Sequence, residues 1–572
     1  MDSGANLAAR FAGAERTQSE LERIINLPVL DPEWVAPDLS HMFRRPGGTM
    51  TLRPIQSKVV YYSLVYGGLL AAIGVGHGKT LISLVLCTAL KAERPILLIP
   101  ASMRDDLNRQ WALYAPHWNL PRNLAGRIFS YDFLSDPKST ALLTNLRPDL
   151  IVCDEFQNLK DPKSVRTRRF ERYLKLHPEV KLVVMTGTPT AKSVKEYAHG
   201  AKYALKGNSP LPLKYGELEV FSRALDVSKR PPDSRAVHDL MPLIQRFHPG
   251  PVDLAFLDGS EAREAYFRRL TSCPGVVATR ELSCDASIHI AQLRPEVPAN
   301  LADWIRYVAR TWVSPQGDIL EDALAVSRVM RQLSGGFFYR WVWGPSGPDR
   351  EWLETRADWH KSLRAWLPRS GPGLDSPALV AMAAKNRPRD LPADLVDSYR
   401  RWVPQSHKSE PPTETVWIDP FLVNHAIAYA KSRPDPVLIW FENDAIGSAI
   451  AQAGGFPFLP GGPASNGFLA DVSAGARPSQ TVTLSIDAHG TGKNLQPYRE
   501  NLIVEPPANG ATWDQLLGRS HRQNQKAERI DAAVYVHTDT FEGAFKSARE
   551  GANYIQQTWG TPQKLCFARI DD

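Results

Sequence analysis

At 572 residues the chain is too long for one compact core, so two or more domains are expected. Hydrophobic residues at 43% and charged residues at 23% exclude a disordered or fibrous protein. A net charge of +7 permits a polyanionic partner, while five cysteines without a CxxC pair argue against a zinc site or a disulfide framework and fit a reduced cytosol.

Residues 1–48 read as an N-terminal extension, whose opening stretch MDSGANLAARFAGAERTQSE lacks the apolar core of a signal peptide. Short apolar runs then alternate with helical patterns. LLAAI (69–73) leads into GVGHGKT and LISLVLCTALKA, ILLI (96–99) into PASMRDDLNRQWALY, LIVC (150–153) into DEFQ, and KLVVM (181–185) into TGTPT. Continuously apolar strands separated by helices predict a parallel sheet covered on both faces, with ligands bound at the carboxyl ends of its strands.

Between about 205 and 415 the chain is proline-rich and predicted to be helical and irregular. Its second half holds Trp304, Trp312, Trp341, Trp343, Trp352, Trp359, Trp366 and Trp402, read mainly as packing groups rather than platforms for stacked bases. After residue 430 the strand rhythm returns in VLIWF (437–441), TVTLSI (481–486), NLIVE (501–505) and AAVYVH (532–537), with helices around 444–453, 512–522 and 540–556. The expected fold class is α/β with two tandem parallel-sheet lobes, 49–285 and 286–572, the second carrying a helical, Trp/Pro-rich insertion at about 301–416. No stretch approaches the length of a membrane span, so a cytoplasmic protein is expected, or a nuclear one in a eukaryote.

GHGKT (76–80) follows a strand and opens a helix, the context of a phosphate-binding loop. Glycines let backbone N–H groups approach phosphate oxygens, Lys79 can reach the β and γ phosphates, and Thr80 can ligate Mg²⁺. The full loop pattern has a glycine where Ile73 stands. In IVCDEFQNLKD, Asp154 at a strand end can hold the metal and Glu155 can orient or deprotonate an attacking water. QLLGRSHRQNQ (515–525) places Arg519 and Arg522 three apart, so a helix would present both on one face. Arginines delivered from a second structural unit stabilise the charge of phosphoryl transfer, worth roughly 10³ to 10⁵ in rate, so ATP is expected to bridge the lobes.

LRPIQ (52–56), GHGKT, ILLIPASMRDDLNRQW, SYDFLS (130–135), DEFQNLKDPKS, VMTGTP (184–189), GTGKNLQ (490–496) and QLLGRSHRQNQ occur in the order and style of the Swi/Snf-type ATPases of helicase superfamily two, and the chain resembles that family over about 50–200 and 435–545. The resemblance implies RecA-like lobes. It also implies that Gln56 reads the adenine edge, that Gly76, His77, Gly78, Lys79 and Thr80 cradle the phosphates, and that Thr186 and Thr188 couple hydrolysis to strand contacts. Gly492 would lie near ATP, and Gln515, Arg519 and Arg522 would complete the γ-phosphate site. Phe156 and Gln157 depart from the usual small residue and histidine, and Asn524 from the usual glycine. RQLSGGFFY (331–339) resembles the family's early second-lobe helix.

The expected activity is that of a monomeric, Mg²⁺-dependent ATPase moving along or remodelling double-stranded DNA through sequence-independent backbone contacts, with DNA-bound replication or recombination proteins as partners. An RNA or strand-annealing motor, and a non-hydrolysing nucleotide-dependent DNA-binding scaffold, are the alternatives.

Overall fold

The computed structural model describes residues 20–571 apart from 122–123, 191, 228–232, 253–258, 319, 321, 346, 372–373 and 409, so the first part of the expected N-terminal extension lies outside the described residues. Six strands form the first sheet: β1 (Leu69–Ala72), β2 (Pro95–Ile99), β3 (Ile128–Ser130), β4 (Leu150–Asp154), β5 (Lys181–Thr186) and β6 (Val276–Ala278). All are parallel, in the order β3-β2-β4-β5-β1-β6. Every residue of β1, β2 and β4 is buried, as expected of strands with helices on both faces. The helix Lys79–Ala89, apolar on nearly all sides, is buried along almost its whole length.

The chain then passes through β7 (Ser287–Leu293), an antiparallel hairpin of β8 (Phe337–Trp341) and β9 (Thr413–Trp417), and β10 (Val437–Phe441), β11 (Phe458–Leu459), β12 (Val482–Ser485), β13 (Glu500–Ile503), β14 (Arg529–Tyr535) and β15 (Arg569–Asp571). The second sheet is also wholly parallel, ordered β11-β12-β10-β13-β14-β7-β15. The fold is thus α/β with two parallel sheets. The 205–415 stretch is less uniformly helical than expected, since it supplies β6, β7 and both hairpin strands. Of RQLSGGFFY, only Arg331–Ser334 ends a helix, and Phe337 begins β8.

The N-terminal extension packs on the first half, and segments of the second half reach across to it. Leu21, Ile24 and Leu27 of the extension pack into the first sheet's core. The helix Asp539–Trp559 leans on the second sheet through Phe545 and Ala548, yet its last residue, Trp559, is buried in the first core with its ring 5.1 Å from Tyr197. The insertion builds a small core from Trp359, Leu363, Val380 and Leu395. It rests on the helix Val165–Leu176, where Arg169 Nη2 meets the fully buried Asp375 carboxylate at 2.9 Å and Arg168 Nη1 donates to Leu367 O at 2.6 Å. Trp352 is buried among Trp341, Trp343 and Trp402, whereas Trp304 and Trp312 are exposed. Among the described residues, no helix is long and apolar enough to cross a membrane.

Candidate active site

The loop after β1 begins one residue later than the full phosphate-loop pattern. Ile73 N still donates to Thr186 O at 2.8 Å, extending the strand pairing, and its side chain lies in the core. Position 73 therefore serves packing, and the chain turns afterwards through Gly76 and Gly78, whose φ values of 91° and 76° suit glycine. Gly78 caps the helix Lys79–Ala89, so Lys79 sits at that helix's N-terminus. Lys79 Nζ donates to Ile73 O at 3.2 Å and pairs with Glu155 Oε1 at 3.1 Å, with both side chains about nine-tenths buried.

Asp154 closes β4. Its carboxylate is buried, and its Oδ1 has no hydrogen-bond partner among the described residues. Burial and the neighbouring Glu155 push its pKa up. Glu155 stands in the left-handed region at φ 59°, a conformation that costs a non-glycine residue on the order of 1–3 kcal/mol. Burial raises its pKa, but the Lys79 ammonium and the Gln157 amide more than offset this, leaving it below the usual carboxylate range. Gln157 and Thr186 stand behind it in one hydrogen-bonded chain.

From the second sheet, the helix Gly510–Leu517 ends earlier than the expected 522, so Arg519 and Arg522 do not share a helix face. They lie in the turns beyond it and are brought together differently. Arg519 Nη1 and Arg522 Nη1 donate to the same carbonyl, Lys493 O, at 3.1 and 2.8 Å, while Arg519 Nε donates to Gln515 O at 2.8 Å. These side-chain bonds hold the pair without helical periodicity. Asn524 has φ 70°, the left-handed conformation that asparagine tolerates better than most residues, which explains how it stands where glycine is usual.

The two sides meet across a cavity of about 330 Å³, within the size range of ligand sites. Lys79, Thr80, Asp154, Glu155, Gly76 and Gly78 line it from the first sheet, and Gly492, Arg519 and Arg522 from the second. A Cβ placed on Gly76 would lie 3.7 Å from Arg522 Cβ, and Ser102 Oγ and Thr491 Oγ1 are 3.1 Å apart, so the halves are in contact at this seam. Arg53, not singled out from sequence, also lines the cavity; its guanidinium donates to Gly76 O at 3.2 Å and meets the Gln523 amide across the seam. Its signal was its place beside Gln56 in LRPIQ. Four cations face two carboxylates in this wall, a balance that suits a polyanion.

Three expected residues do not line it. Gln56 is buried; its Oε1 accepts from Arg53 N at 2.9 Å and its Nε2 donates to His77 O at 3.0 Å, so the amide braces the loop with both of its ends engaged. The Gln515 side chain is likewise absent from the cavity wall, and its carbonyl steers Arg519. His77 turns into an adjoining seam near Thr279 and Lys564, where burial, then Lys79, Arg53 and Lys564, push its pKa down to about 4.

The donor set fits Mg²⁺ with a nucleotide. Asp154, whose buried Oδ1 has no partner among the described residues, and Thr80 line one cavity. Among the described residues, no cluster of three His, Cys, Asp or Glu side chains would hold a metal by itself. Mg²⁺ typically binds one or two carboxylates together with substrate phosphates. In comparisons with known proteins, the chain matches no protein-family model and no curated protein.

Proposed function

We propose that the chain is a DNA-stimulated ATPase of the Swi/Snf type in helicase superfamily two, its two sheets being RecA-like lobes, which translocates along or remodels duplex DNA. The observation that carries this reading is the shared cavity: Lys79, Thr80, Asp154 and Glu155 on one wall face Arg519 and Arg522 on the other, more than 360 residues away in the chain. ATP and Mg²⁺ are the implied ligands. Thr80 and Asp154 would hold the ion, and Mg²⁺ would supply charge neutralisation at the phosphate oxygens.

In this structure Lys79 is engaged by Glu155 and Ile73 O. A triphosphate competes for that ammonium, and Glu155, relieved of its partner, accepts a hydrogen bond from the attacking water and takes its proton. Arg519 and Arg522 exchange the Lys493 carbonyl for the oxygens on which charge develops. The seam between the halves is then sensitive to nucleotide state, which is what a DNA-moving cycle requires. Duplex contacts are to the phosphate backbone and hence indifferent to sequence and weakened by salt; proteins already on the DNA are the natural objects of remodelling.

The test is steady-state phosphate release with and without duplex DNA, single-stranded DNA and RNA. Duplex DNA should stimulate turnover most, and Lys79→Ala should abolish it. Turnover indifferent to every nucleic acid, or unaffected by Lys79→Ala, rejects the reading.

A further inference from the structure

β4 and β5 run toward the cavity just described, and at their opposite ends lies a second depression of about 330 Å³. Val180 stands directly before β5, with Thr186 at the far end of the strand, roughly 20 Å away at ~3.3 Å per residue. The depression is floored by Leu174, Val180, Tyr203 and Leu213. On its rim Lys175, Lys202 and Lys206 are exposed, and among the described residues none of the three forms an ion pair within 4.0 Å. Two neighbouring carboxylates act on this rim at longer range, Glu179, which also meets His177 Nδ1 at 3.1 Å, on Lys206 and Glu171 on Lys202, so the three cations outnumber them.

Lys206 ends the helix Lys195–Leu205 with φ 53° and ψ −124°, a conformation that costs a residue bearing a Cβ on the order of 1–3 kcal/mol. This strained turn carries one of the three rim cations.

An apolar floor with a cationic rim is complementary to an apolar side chain flanked by carboxylates. We propose that this depression docks an acidic segment of a partner protein, carrying an aliphatic or aromatic anchor between Asp or Glu residues. Such a surface lies outside the ATPase reading and does not depend on it. Nucleic acid fits less well, because the floor is mainly aliphatic and its aromatic ring, Tyr203, has Lys202 Nζ over it at 5.5 Å. A bilayer surface fits less well because the apolar groups are recessed in a concavity.

Fluorescein-labelled peptides with a Leu-Phe pair between runs of Asp and Glu, and matched peptides with Ser-Ser in its place, are the probes, titrated by anisotropy against the full chain. The Leu-Phe peptide should bind in the micromolar range, and the Ser-Ser peptide about tenfold or more weakly. Lys175→Glu/Lys202→Glu/Lys206→Glu should weaken the Leu-Phe peptide at least about tenfold and flatten its salt dependence, with thermal unfolding unchanged. If that variant unfolds, the Gln triple and a benzophenone at the anchor position serve instead: the photoproduct should map to Leu174, Tyr203 or Leu213. Equal binding of both peptides, no effect of either triple variant, crosslinks elsewhere, or tighter binding of a DNA oligonucleotide or phosphatidylserine vesicles through the same lysines overturns the proposal.

Discussion

Gln157 Nε2 donates to Glu155 Oε2 at 2.9 Å, and the Thr186 hydroxyl donates to the other end of the same amide. Thr188 N in turn donates to Thr186 Oγ1 at 3.1 Å, so the end of β4 and the turn after β5 form one hydrogen-bonded chain. An amide can serve as this link because it donates at one end and accepts at the other. A neutral histidine has the same capability, which explains why glutamine can take a position where the resembling family has histidine.

Gln157→Ala removes the link and leaves Lys79 and Thr80 in place. Under the proposed function, kcat should fall by about 10- to 100-fold with little change in nucleotide affinity, while Gln157→His retains a substantial share of the activity. Phosphate release together with binding of a fluorescent ATP analogue separates the two effects. A large loss of nucleotide affinity would show that Gln157 serves binding rather than positioning.

Phe156, next in the chain, serves the core. It is buried, its ring is 5.0 Å from that of His199, and a Cβ built on Gly200 would fall 2.7 Å from it. The bulky residue fits because the facing helix has glycine at the contact. Gly200→Ala should therefore cost about 1–3 kcal/mol by overpacking, and Phe156→Ala about 3–5 kcal/mol by opening a cavity. The double variant should lose less than the sum, since the alanine methyl occupies space the ring has left. Denaturant unfolding of all four proteins gives the coupling, and strict additivity would mean the two positions do not share that space.

Much of this architecture is readable from local pattern, and the exceptions have physical causes. β1, β2 and β10 are short, continuously apolar runs, β4 and β5 are apolar up to the polar residues at their ends, and β13 keeps only Leu502 and Ile503 of that pattern; such runs suit parallel strands buried on both faces. β7, with the sequence SIHIAQL, carries Ser287, His289 and Gln292 and alternates in burial, so no apolar run announces it. In the candidate site, the identities and order of Lys79, Asp154, Glu155, Arg519 and Arg522 point to one place, but their conformations do not follow from spacing. Arg519 and Arg522 are gathered by a carbonyl 26 and 29 residues earlier in the chain, and the Gln56 amide is taken up by Arg53 and His77. Bonds between distant segments leave no periodic trace.

Asp375 is the extreme case, a fully buried carboxylate that Arg169 reaches across 206 residues and that Arg172 approaches at 3.2 Å. Removing one partner of such a pair strands a buried charge, so Asp375→Ala should destabilise by about 3–5 kcal/mol and expose the insertion to proteolysis. Replacing both partners, as Arg169→Met with Asp375→Leu, should recover most of that loss. Limited proteolysis with mass mapping reads the effect directly. Unchanged cleavage within 350–405 in Asp375→Ala would mean that the other contacts hold the insertion by themselves.

Acid acts on the protein through three buried histidines. Burial pushes His199 down to about 4, as it does His537, where repulsion from His425 adds to the effect. Burial, followed by repulsion from Lys493, does the same to His489. Each folded value lies below the ordinary 6.5, so between pH 6.5 and 4 the unfolded chain binds more protons than the folded one. The three histidines leave stability unchanged above that window and erode it as pH falls through it, by roughly 2 kcal/mol each at about pH 5. Thermal unfolding should therefore drop steeply from neutral pH toward 5, and His537→Gln, which keeps a donor for Ser334 O, should make that drop shallower. A variant whose pH profile parallels the parent's would show that His537 titrates normally in the folded protein and that its burial is relieved by water.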